Sequence, residues 1–154
     1  MTQQSMTQNE LALEKQLNLQ IANWTLLYTK LHNFHWYVKG PNFFTLHEKF
    51  EELYNEAAGY IDELAERLLA IGGKPVATLR ESLELATLSE AKGGETPEAM
   101  VSAIVSDFAV VSDELKQGMQ AAEEAGDEAT SDLLLGILSA LEKHSWMLNA
   151  YLGK

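Results

Sequence analysis

The chain has no cysteine, so it can build neither a disulfide framework nor a thiolate site. Any metal it binds must be held by histidine nitrogen and carboxylate oxygen, and redox chemistry would then belong to that metal. The amino terminus, "MTQQSMTQNELALEKQ", lacks a basic start followed by an apolar run. No segment approaches the apolar length that crosses a bilayer, and the two absences together point to the cytoplasm and away from membranes. Positive charge is scarce: Lys and Arg number 11 against 23 Asp and Glu, a formal net charge of −12. Affinity for nucleic acid comes largely from Lys and Arg displacing counterions, so a phosphate-tracking surface is disfavoured. The acidic excess either serves solubility or attracts cations, and charge alone leaves both readings open.

Sustained period-two alternation is also missing, which argues against strands. The pattern that is present has helical spacing, and 154 residues with 46% apolar content suit one domain spanning 1–154. A first helix is expected from about Thr7 to Tyr37, with Leu17, Ile21, Trp24, Leu27, Tyr28, Leu31 and Phe34 on its apolar face, ending at "VKGPN". A second runs from near Asn42 to Ile71 with Phe50, Leu53, Ala57, Ile61, Leu64 and Leu68 inward, until Gly72 and Gly73 stop it. A third, about Thr96 to Ala125, opens on "TPEA", with threonine as N-cap and proline at the first helical position. The fourth follows "AGDEATSD" and reaches Leu152. The first and last connections are short and join antiparallel neighbours. The middle one is long and contains "TLRESLELA", enough for one or two helical turns. The expected fold is therefore all-α, a ferritin-like four-helix bundle whose long crossover carries a short helix.

Three of the four histidines fall in "LHNFHWYVKGPNFFTLHEKFEE". His35 belongs to the last turn of the first helix and His47 to the start of the second, so antiparallel packing brings both to one end of the hairpin. Histidines near a turn are often only solvated or core-satisfied, but the carboxylates add a pattern. At about 100° per residue, His47, Glu51, Asp62 and Glu66 share one stripe of the second helix, apart from its apolar face. A rise of about 1.5 Å per residue puts His47 and Glu66 about 30 Å apart, too far to share a metal within one chain. Two copies of this helix packed antiparallel across a two-fold axis remove that obstacle. His47 then faces Glu66 and Glu51 faces Asp62, because the residue numbers of each pair add to the same total. Ala58, on the stripe between them, permits close approach. The usual di-iron motif inside a bundle, Glu-x-x-His, is absent: the residues three before His32, His35, His47 and His144 are Thr29, His32, Phe44 and Leu141. A subunit interface is the remaining home for such a site.

The run "HNFHWYVKGPNFFTLHEKFEELYNEAAGYIDELAERLLAIGG" strongly resembles the Dps family of mini-ferritins, the DNA-binding proteins from starved cells, and the helical layout is similar over essentially the whole chain. The resemblance implies a hollow dodecamer that oxidises Fe(II), preferably with hydrogen peroxide and otherwise with dioxygen, at two-fold interfaces, and stores the ferric product inside. Carried over by position, it implies His35, His47 and Glu51 as one subunit's share of a one- or two-iron site, with Asp62 and Glu66 from the neighbour. His32, one turn before His35, either orients a water or touches a second metal. Trp36 either donates electrons to stray oxidants or packs at the dimer contact. In the family, the acidic turn around "EEAGDEATSD" lines three-fold pores, which implies iron entry past Glu123, Glu128 and Asp132. The rival for Asp127 and Glu128 is simple helix initiation. His144 has no carboxylate set nearby in sequence and reads as structural, and Trp24 and Trp146 read as core or interface aromatics. Some family members compact DNA through lysine-rich extensions. Here the first fourteen residues contain no lysine or arginine, so direct DNA binding is not expected. A purely structural helical oligomer, in which the acidic stripe sets only the dimer register, predicts no iron turnover.

Overall fold

The computed structural model describes residues 5–154, so the first four residues of the expected domain and of the lysine-free amino-terminal segment lie outside the described residues. Among the described residues five helices follow one another: α1 (Gln8–Tyr37), α2 (Phe43–Ala70), α3 (Leu79–Leu85), α4 (Pro97–Glu124) and α5 (Glu128–Tyr151). Their ends are written locally. Thr7 closes a capping box with Glu10, its hydroxyl accepting from the Glu10 N–H at 3.1 Å while Glu10 accepts from the Thr7 N–H at 3.0 Å. Thr96 caps α4 with Pro97 behind it, and Thr78 caps α3. The α2 terminus is a Schellman turn: the Gly73 N–H reaches the Leu68 carbonyl at 2.9 Å and the Gly72 N–H that of Leu69 at 3.0 Å. Gly72 has φ +88°, and a Cβ on Gly73 would strike the Leu68 side chain.

α1 pairs with α2 and α4 with α5, and α1 also packs on α4 to join the hairpins. The shared core runs through Leu13, Leu17, Ile21, Leu27 and Phe34 of α1, Phe50, Leu64 and Leu68 of α2, Ile104 and Val111 of α4, and Leu134 and Leu141 of α5. Burying one such side chain contributes about 1.5–3 kcal/mol. Trp24 stands at the centre, its ring 4.8 Å from Tyr60 and 6.1 Å from Phe108. Burial first, then the charges of Glu56 and Glu63, push the Tyr60 phenol up to about 12. Tyr28 departs from its expected core place. It lies at the margin of the apolar stripe and turns outward against His32 and Tyr54.

The crossover from α2 to α4 is stitched to the bundle by three polar residues of α1. Asn18 donates to the Lys74 carbonyl at 3.1 Å and accepts from the Val76 N–H at 2.8 Å. Buried Asn23 accepts from the Thr87 N–H at 2.9 Å and donates to Glu114 of α4 at 2.8 Å, and the Thr87 hydroxyl donates to the same carboxylate at 2.8 Å. Lys30 donates to the Ser89 carbonyl at 2.7 Å and pairs with Asp107 at 2.8 Å. Burial raises the Glu114 and Asp107 carboxyls, against the opposing pull of these donors. These contacts hold down a long connection in which only α3 is regular.

Candidate metal centre

The turn at residues 38–42 reverses the chain so that the end of α1 lies beside the first turns of α2. Val38 is extended, Gly40 has φ +111° and Pro41 cannot continue a helix. His35 and His47 meet there as a reciprocal clasp. The His35 Nδ1–H donates to the His47 carbonyl at 2.6 Å, and the His47 Nδ1–H donates to the His35 carbonyl at 2.7 Å. Their rings stack with centroids 3.7 Å apart and planes 13° apart. A carbonyl can only accept, so both protons sit on Nδ1 and both Nε2 lone pairs are left to bind metal. His32 is set the same way, its Nδ1–H donating to the Tyr28 carbonyl at 2.7 Å.

Glu51, one turn beyond His47, is exposed and accepts a hydrogen bond from the Tyr54 hydroxyl at 3.2 Å. Burial and the adjacent Glu51 charge hold the Tyr54 phenol above its usual range, so it remains a donor. Asp62 and Glu66 are exposed on the distal half of α2, and no hydrogen bond or ion pair among the described residues engages either. The structure thus brings His35 and His47 together, puts Glu51 one helical turn beyond His47, and leaves Asp62 and Glu66 on the far half of the same helix. Trp36 is 68% exposed, its ring 5.1 Å from that of His32.

Two features escaped the sequence reading. Tyr54 lies seven residues after His47 on the same helix face, a spacing that could have marked it. His144 is not isolated: it is 7% exposed, its Nε2–H donates to Glu56 at 2.7 Å, and Lys49 stands 3.4 Å from its Nδ1 and 3.3 Å from Glu52. Donor atoms of Glu52, Glu56 and His144 lie within 4.8 Å of one another. The Lys49 ammonium already supplies a cation to this group, and only the packing of α5 beside α2 reveals it. Trp24 is core as expected, whereas Trp146 is 66% exposed.

At the other end of α2, Glu123, Glu128 and Asp132 are exposed around the α4–α5 turn. Asp127 caps α5 by accepting from the Thr130 N–H at 3.0 Å, and Arg67 of α2 donates to Asp127 and to the Thr130 hydroxyl, each at 2.9 Å. The turn is thereby tied to the helix that carries Asp62 and Glu66. Among the described residues no helix is long and apolar enough to cross a membrane.

Residues 14–154 match the model of the ferritin-like domain. The DNA protection during starvation protein 2 of Bacillus anthracis is 64% identical over 138 residues, covering 90% of this chain and 94% of that protein. The general stress protein 20U of Bacillus subtilis is 64% identical over 137 residues, covering 89% and 94%. Among solved structures, a Dps protein from Bacillus brevis superposes with a TM-score of 0.95 at 58% identity, covering 96% of this chain and 99% of that one. With a ferritin-like match over most of its length and identities of this order, the chain belongs to the Dps family of ferritin-like proteins.

Proposed function

We propose that the protein is a cytoplasmic mini-ferritin, one ferritin-like domain per chain, that assembles as a closed dodecamer, oxidises ferrous iron and stores the ferric product. The observation that carries this reading is the His35–His47 clasp. It leaves two oriented Nε2 lone pairs one helical turn before Glu51, at the head of a helix whose far end carries Asp62 and Glu66. Antiparallel pairing of two α2 helices lays the partner's Asp62 and the partner's Glu66 against His35, His47 and Glu51, twice per dimer. Mixed nitrogen and oxygen ligands suit ferrous iron, and the carboxylates favour the harder ferric product, which makes the bound iron easier to oxidise.

Hydrogen peroxide is the preferred oxidant and dioxygen the lesser one. One peroxide takes two electrons from two ferrous ions and two protons from solvent, giving two waters and two ferric ions. Delivery of both electrons together leaves little free hydroxyl radical. Iron enters past Glu123, Glu128 and Asp132, which three-fold symmetry turns into a negative funnel. The Bacillus anthracis relative is a DNA protection during starvation protein. For this chain, protection follows from removing ferrous iron and peroxide, without binding to DNA.

Subunit mixing tests the shared site. His47→Ala and Asp62→Ala proteins, each inactive alone, are dissociated, mixed and reassembled. A mixed dimer has one site carrying both substitutions and one site intact, so random pairing restores about a quarter of the sites. Rapid ferrous oxidation near that level is expected. No recovery in a fully reassembled mixture, or full activity in either single variant, overturns the reading.

A further inference from the structure

Glu51 is an exposed side chain with several rotatable bonds, and a ligand of that kind surrenders conformational freedom when it binds metal. Tyr54, three residues along α2, is placed to reduce that loss. Its hydroxyl donates to Glu51 Oε1 at 3.2 Å. Its ring stacks on His32 with centroids 3.7 Å apart and planes 18° apart, and stands edge-on to His35 at 5.3 Å and 86°. Tyr28 closes the group, edge-on to His32 at 4.6 Å and to Tyr54 at 6.1 Å. His32 is itself fixed, through its Nδ1–H, to the Tyr28 carbonyl. A continuous chain of fixed groups therefore runs from the α1 backbone through the rings of His32 and Tyr54 to the Glu51 carboxylate.

We infer that Tyr54 is a positioning residue for the iron site, seating Glu51 through its hydroxyl and His35 through its ring edge, and that His32 is the shelf holding Tyr54 and not an iron ligand. This inference rests on the iron-site reading above. With Oε1 held by the phenol, Glu51 keeps Oε2 as a free donor whose direction is fixed. Loss of the hydroxyl releases the carboxylate from that position. The third histidine of the cluster also acquires a task that needs no metal: an aromatic face held in place by its own backbone bond. Partners of this kind typically change metal affinity or activity 10–100-fold when removed.

Anaerobic titration of the assembled protein with Co(II) tests the assignment, because cobalt reports its ligand set in visible absorption and does not turn over under those conditions. Tyr54→Phe keeps the ring and loses only the hydroxyl. It should weaken Co(II) binding about tenfold and change the intensity of the visible bands. In a Glu51→Ala background the same substitution should add nothing, since its effect travels through Glu51. His32→Ala should weaken binding several-fold, while His32→Phe, which keeps a stacking face, should recover most of the affinity, as no metal ligand could. Unchanged affinity and bands in Tyr54→Phe, full additivity with Glu51→Ala, or a His32→Phe as damaged as His32→Ala would each overturn the inference. Cobalt bands that are missing in the wild type, or that survive His47→Ala, overturn the iron-site reading itself and this inference with it.

Discussion

In His32, His35 and His47 the Nδ1–H is tied to a backbone carbonyl, so tautomer and ring direction are decided by the fold itself. Asp127 is fixed just as firmly for a structural purpose. Burial raises its carboxyl, but the Thr130 hydroxyl and N–H and the Arg67 guanidinium outweigh that and leave it below the usual carboxylate range. A carboxyl depressed in the folded state adds stability that is fully present above its unfolded value, about 3.9, and is lost as pH falls through the lower folded value. Asp127→Ala should therefore cost about 1–2 kcal/mol at neutral pH through the lost N-cap. The difference in thermal unfolding between it and the wild type should narrow as the pH is taken from 5 toward 3. A gap that stays constant over that range would show that the ionised carboxylate contributes nothing.

Among the helices, α2 carries most of the candidate site, and the Arg67 tether to the acidic turn lies on it as well. Its oddity is Gly59, in mid-helix and exposed, where glycine costs about 1 kcal/mol relative to alanine and where a Cβ would meet nothing within 4 Å. No contact inside the chain accounts for it. In the antiparallel register proposed above, Gly59 falls opposite the partner's Tyr54, and a close helix–helix approach there is what that register predicts. Gly59→Leu should keep the helical circular dichroism of the wild type yet shift the particle to smaller species in sedimentation. A full-sized particle that still oxidises iron would show the register to be wrong.

At the scale of the molecule the excess charge dominates. Each subunit carries −12 and assembly multiplies it, which opposes contact with phosphate. A gel-shift assay at low salt and neutral pH, without metal, should show no retarded DNA. Plasmid nicking by iron and peroxide should still be suppressed by the wild type, and not by the variant lacking both His47 and Asp62. Retarded DNA would establish contact, and equal protection by the variant would move the protective chemistry elsewhere. Sedimentation of the wild type should give one species of dodecameric mass. A stable monomer or isolated dimer would remove the cage.

Much of the fold was legible because its signals are local. The cap at Thr96, the glycine stop after α2 and the short helix after Thr78 depend on residues within a few positions of each other, and the expected boundaries fall within about two residues of those observed, except that α5 starts at Glu128, inside the stretch expected to precede it. The outward turn of Tyr28 was not legible, because at the edge of a stripe periodicity cannot say which side a ring takes. His35 and His47 could be assigned to one end of a hairpin from the turn alone. Their stacking and crossed backbone bonds depend on how closely α1 and α2 pack, which no spacing encodes. The same holds for His144, which looked solitary in sequence and met Glu56 only once α5 lay beside α2. Sequence by itself determined what repeats along one helix: the caps, the apolar faces and the stripe of His47, Glu51, Asp62 and Glu66. Tertiary structure decided what depends on two helices at once, namely the clasp, the Tyr54 seat and the Lys49–His144–Glu56 group, because side-chain contacts across a packed interface are set by distances and ring directions that a linear pattern does not contain.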